Sequence, residues 1–123
     1  MRRWTIVLVV LAVIPIPVAF AGEADVVAAR LTPADDGTWR VEVTVEHADE
    51  GWDHYADAWE VVAPDGAVLG RRTLLHPHVD EQPFTRSLSG IGIPDGITEV
   101  TVRARDSVHG YGGQELTVPV PHE

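Results

Sequence analysis

Five of the six histidines of this 123-residue chain fall in three short segments, and each segment also carries acids. They are His47-Ala48-Asp49-Glu50-Gly51-Trp52-Asp53-His54-Tyr55-Ala56-Asp57, then Leu75-His76-Pro77-His78-Val79-Asp80-Glu81-Gln82-Pro83, then Asp106-Ser107-Val108-His109-Gly110-Tyr111-Gly112-Gly113. Neutral imidazole binds Zn(II) and Cu(II), and carboxylates can complete such a shell. His76-Pro77-His78 is an H-x-H pair. On an extended chain, residues two apart project to the same side, and proline stiffens the backbone between them. The expected metal ligands are His54, His76, His78 and His109, with Asp57 and Asp80 as supplementary ligands. His47 continues the inward parity of Trp39, Val41, Val43 and Val45, so it is expected at the core edge. His122 lies in the C-terminal tail and is expected to be solvated. Beyond Met1 the chain has neither cysteine nor methionine, which disfavours a Cu(I) site. Cu(II), Zn(II) or Ni(II) fit, the first two being the expected cofactors.

The same residues allow a second reading, in which they form a structural polar network. Asp–His and Arg–Asp contacts would then tie three long loops together, with Arg86 as partner for Asp80, Glu81 or Asp57. The end of the molecule would serve as a protein-interaction surface through Trp52, Tyr55 and Tyr111. Catalytic motifs are absent from both readings. Ser87, Ser89 and Ser107 lack a nucleophile elbow, and Ser107 is too close in sequence to His109 and Asp106 to form a triad with them. Gly110-Tyr111-Gly112-Gly113 precedes a strand, so no helix N-terminus is available to hold a phosphate. The run is expected to supply positive-φ positions. The expectation is a binding domain and not an enzyme.

Period-two alternation sets the elements that must position these groups. Trp39, Val41, Val43 and Val45 alternate with Arg40, Glu42, Thr44 and Glu46; Val100, Val102 and Ala104 alternate with Thr101, Arg103 and Arg105. Such runs are strands with one buried and one wet face. Asp-Gly turns at 35–37, 65–66 and 95–96 separate several of them. The pattern predicts seven strands at 24–31, 38–47, 57–63, 67–75, 84–90, 97–106 and 114–120. That number in about 100 residues predicts an all-β, antiparallel sandwich of immunoglobulin or fibronectin type III class, with Trp59 in its core. Consecutive antiparallel strands send alternate connections to opposite ends. The three Asp-Gly turns then share one end, and the three histidine segments share the other.

Residues 1–21 read as an export signal. Met1-Arg2-Arg3 precedes an apolar run, and Ala19-Phe20-Ala21 fits the small-x-small rule for cleavage after Ala21. Residues 22–123 would form the sandwich domain, with no membrane anchor after cleavage and no cysteine to carry lipid. Losing Arg2 and Arg3 takes the formal charge from −10 to −12. Nucleic acid and anionic membranes are therefore poor partners, while cations or a basic exported protein suit the chain. A monomer, periplasmic or secreted, is expected.

Two stretches carry a resemblance: Trp59-Glu60-Val61-Val62-Ala63-Pro64-Asp65-Gly66 and Leu74-Leu75 followed by His-Pro-His-Val-Asp-Glu-Gln-Pro-Phe-Thr-Arg over 76–86. They resemble a group of small, uncharacterised exported bacterial proteins that share the second string. The resemblance implies an exported β-sandwich and supplies no activity or ligand.

Overall fold

A computed structural model describes residues 10–13 and 22–121. It contains eight strands: β1 (Val10–Val13), β2 (Asp25–Pro33), β3 (Trp39–Glu46), β4 (Ala56–Val62), β5 (Val68–Thr73), β6 (Phe84–Ile91), β7 (Glu99–Asp106) and β8 (Leu116–Pro119). Strands β2 to β8 are the seven read from the sequence. Two antiparallel sheets form, ordered β1-β2-β3-β6 and β5-β4-β7-β8. Because β5 pairs with β4, the arrangement differs from the constant-type immunoglobulin order, in which that strand joins the other sheet. No helix among the described residues is long and apolar enough to cross a membrane.

The inward residues behave as the alternation requires. Val41, Val43 and Val45 of β3 and Val100, Val102 and Ala104 of β7 are buried between the sheets. Among the described residues, Trp59 and Phe84 are the largest fully buried apolar side chains. Burying one side chain of that class is worth about 1.5–3 kcal/mol. Gly37, Gly66 and Gly96, which close the three Asp-Gly turns, all have positive φ, a region that costs glycine nothing.

Strand β1 lies inside the segment read as an export signal and pairs with β2, Val10 opposite Leu31 and Val13 opposite Ala28. The remainder of that segment, with the expected cleavage point after Ala21, is outside the described residues. On the wet face of the second sheet, Glu60 accepts from Arg103 Nη2 at 2.8 Å and from Arg71 Nη1 at 3.1 Å, tying β4 to β7 and β5. The Arg103 guanidinium lies 4.4 Å from the Tyr111 ring centroid.

Candidate metal centre

The three histidine segments meet at one end of the sandwich, held by hydrogen bonds distant in sequence. Ser107 N donates to Tyr55 O at 2.9 Å, and Tyr55 N donates to Ser107 Oγ at 3.1 Å. His78 N donates to Asp49 Oδ2 at 2.7 Å. These bonds exist because each segment leaves its strand at the same end, as the antiparallel order dictates.

At the centre stand His47, His54 and Asp106, all buried, each offering one ligand atom within 4.8 Å of the others. His47 Nε2 faces His54 Nε2 at 3.2 Å. His54 Nε2 lies 2.9 Å from Asp106 Oδ2. The Gly22 carbonyl oxygen lies 2.9 Å from His47 Nε2. Both imidazoles turn their other nitrogen to an acid: His47 Nδ1 donates to Asp49 Oδ1 at 2.6 Å, and His54 Nδ1 donates to Glu50 Oε1 at 2.8 Å. An acid on Nδ1 fixes the tautomer that leaves the Nε2 lone pair free, the usual support for a metal-bound histidine.

Protons cannot satisfy all the inner contacts together. At these distances the Gly22 oxygen calls for an N–H on His47 Nε2, and the Asp106 carboxylate calls for one on His54 Nε2. With both protons present, two N–H donors point into a gap of 3.2 Å. Without the His47 proton, a lone pair faces the Gly22 oxygen at 2.9 Å, and without the His54 proton, a lone pair faces the Asp106 carboxylate at 2.9 Å. A cation among these atoms would resolve the conflict, since all of them could then present lone pairs to it. Neighbouring ligands of a tetrahedral ion with bonds of about 2.0–2.1 Å stand about 3.3 Å apart, close to the spacing seen here. Asp106 adds a second sign. Its Oδ2 also accepts from His109 N and His109 Nδ1, each at 2.9 Å, while its buried Oδ1 has no hydrogen-bond partner among the described residues. An unpaired buried carboxylate oxygen is costly unless something positive meets it.

The electrostatics agree in sign. Burial opposes charge on His47, but the Asp49 hydrogen bond and the Gly22 carbonyl outweigh it and raise its pKa. His54 is raised in the same way, burial being overcome by Glu50 and Asp106. Burial opposes ionisation of Asp49, yet the bonds from His47, His78 N and Ala56 N hold its pKa down. Asp106 is held down against burial by His109 and Val108. The acids therefore stay ionised and draw positive charge onto the two imidazoles, from protons or from a metal.

The structure arranges the expected ligands differently from the sequence reading. His54 is central. His109 lies beside it, ring centroids 5.1 Å apart, but its Nδ1 is engaged by Asp106. His76 and His78 form a separate pair, 4.6 Å between centroids, stacked onto Phe84 through His78. Arg86 Nη2 donates to His78 Nε2 at 2.9 Å. Burial, then Arg86 and His76, push the His78 pKa down, so this imidazole is a neutral acceptor. Of the supplementary ligands, Asp57 pairs with Arg105 at 2.9 Å and Asp80 is exposed. Arg86 does pair with an acid of its loop, Glu81, at 3.2 Å. His47 is at the core edge, as its parity predicts, and it is also the innermost histidine of the cluster. The sequence reading passed over Asp49, Glu50 and Gly22. The acids lying between His47 and His54 were the signal available for the first two.

No protein-family model matches the chain, and no solved structure matches it. The chain is 48% identical over 96 residues to a protein described as "Putative lipoprotein" from Halomicrobium mukohataei (strain ATCC 700874 / DSM 12286 / JCM 9738 / NCIMB 13541). The match covers 78% of this chain and 47% of that protein, so the chain spans about half the length of this curated relative.

Proposed function

We propose that this is an exported, non-enzymatic domain that binds a divalent transition metal, Cu(II) or Zn(II), through His47 Nε2, His54 Nε2 and Asp106. The observation that carries the reading is the pair of Nε2 atoms facing each other at 3.2 Å, each imidazole backed by its own carboxylate. A binding role is favoured over catalysis because His47 and Asp106 are at most 1% exposed, and a catalytic ion needs an open position. Export is supported by the leader-like residues 1–21 and by the relative's description as a lipoprotein. Calorimetric titration with Cu²⁺ and Zn²⁺ tests the site. His47→Ala is expected to abolish binding, while His76→Ala/His78→Ala leaves it within about threefold. Loss in the second variant with retention in the first would overturn the assignment.

A second reading has its own observation. Among the described residues, four of the five exposed large hydrophobics, Trp52, Leu75, Val79 and Val108, lie on the three histidine loops. This favours the same end as a contact surface for an exported protein, with the histidine cluster as its internal brace. If Trp52→Ser/Leu75→Ser abolished capture of a partner while neither metal ion bound the parent chain, this reading would replace the first.

A further inference from the structure

Residues 22–26 are built into the histidine end. Gly22 O reaches His47 Nε2. Gln114 N donates to Asp25 Oδ1 at 2.7 Å, and Val26 N donates to Gln114 O at 2.8 Å. Gly113 makes this seating possible. A Cβ at Gly113 would stand 2.0 Å from the Ala24 carbonyl oxygen, and a backbone atom so placed cannot yield to a side chain. Of the Gly110-Tyr111-Gly112-Gly113 run, expected to supply positive-φ positions, only Gly110 has one. At Gly113 the requirement is room for the segment that follows Ala21.

Gly22 is also the residue directly after Ala19-Phe20-Ala21, the small-x-small pattern of a leader cleavage site. We propose that removal of the leader after Ala21 completes the metal centre, the new α-amine of Gly22 joining His47, His54 and Asp106 as a ligand. The inference rests on the metal-binding reading above. In the cleavage, water adds across the Ala21–Gly22 peptide bond. The leader departs with the Ala21 carboxylate, and Gly22 keeps the nitrogen as an amine. Before cleavage that nitrogen is an amide whose lone pair is delocalised into the peptide bond, so it donates a hydrogen bond and does not ligate. Afterwards its free base is a nitrogen donor of the kind Cu(II) and Zn(II) accept. The amine and carbonyl oxygen of one residue close a five-membered chelate ring on a metal. The bonds to Gln114 hold the segment in place, which lowers the entropy lost on binding. The absent side chain of Gly22 leaves its amine free to turn inward. Tight loading then follows export and does not precede it.

The sequence itself supplies a clean test, because it has no lysine. An amine-selective acetylating reagent therefore has the α-amine as its sole amine target. The full-length chain is expressed in an exporting host, and the product's first residue is read by intact mass. The product is then titrated with Cu²⁺ before and after acetylation, with circular dichroism to confirm an unchanged fold. The expected results are a chain beginning at Gly22, at least about tenfold weaker binding after acetylation, and no tight binding in the processed His47→Ala chain. A first residue other than Gly22, or acetylated protein binding within twofold of the unmodified chain, overturns the inference. If the acetylated chain binds equally well and His47→Ala still abolishes binding, the metal centre stands without the amine. If acetylation weakens binding to the same extent in the His47→Ala chain, the amine acts alone and the inference falls. If unmodified chain takes up neither Cu²⁺ nor Zn²⁺, the metal-binding reading itself falls.

Discussion

Asp49 shows how much one buried carboxylate organises. Its side chain is fully buried, and it accepts from His47 Nδ1, Ala56 N and His78 N. One acid thereby orients a central imidazole, starts β4 and fastens the His76–His78 loop. Hydrogen bonds to a charged group are worth about 1.5–3 kcal/mol each, and removing their shared acceptor strands three buried donors. Asp49→Ala is expected to lower stability by about 3 kcal/mol in urea denaturation, while Asp80→Ala at an exposed position stays within about 0.5 kcal/mol. Equal effects of the two changes would deny Asp49 this role. The residue types of the site were legible in sequence, since His and acids cluster openly. Their roles were not. His76 and His78 sit two apart on one loop, yet Phe84 and Arg86 claim His78, and those contacts follow from loop packing, not from spacing.

At the scale of strands, parity decided the core and pairing decided the wet faces. Glu60 is the clearest case, an acid on β4 set between arginines of β5 and β7. Burial would raise its pKa, but Arg103, Tyr111 and Arg71 prevail and hold it below the ordinary glutamate value of 4.5. A depressed folded pKa means that the contribution to stability is present above the unfolded value, near 4.5, and is lost as pH falls through the folded one. Urea midpoints measured from pH 6 to pH 3 should therefore fall less steeply for Glu60→Gln than for the parent chain. Parallel curves would show that Glu60 gains nothing from its arginines. The strands themselves were readable because alternation and Asp-Gly turns are local signals. The pairing of β5 with β4 was not, because it depends on which sheet has room for a strand that follows a tight turn.

At the scale of the whole fold, the described residues form an acidic sandwich without disulfides, and its open end is closed by a polar cluster instead of apolar packing. A metal ion bound as proposed would join the loop between β3 and β4 to the end of β7, so its binding free energy would add to the stability of the fold. At a free metal concentration about 100 times Kd, the gain is about 2.7 kcal/mol. Melting followed by circular dichroism should show a rise in Tm on adding Cu²⁺ or Zn²⁺, and none for His47→Ala. A rise of equal size in both proteins would place the ion elsewhere. What the sequence determined by itself was the number of strands, their inward residues and the end at which the histidines gather, because parity and turn chemistry act over a few residues. Only the tertiary structure decided which histidines converge. That choice rests on bonds such as Asp49–His78 and Tyr55–Ser107, which join residues 29 and 52 positions apart, and no local pattern encodes them.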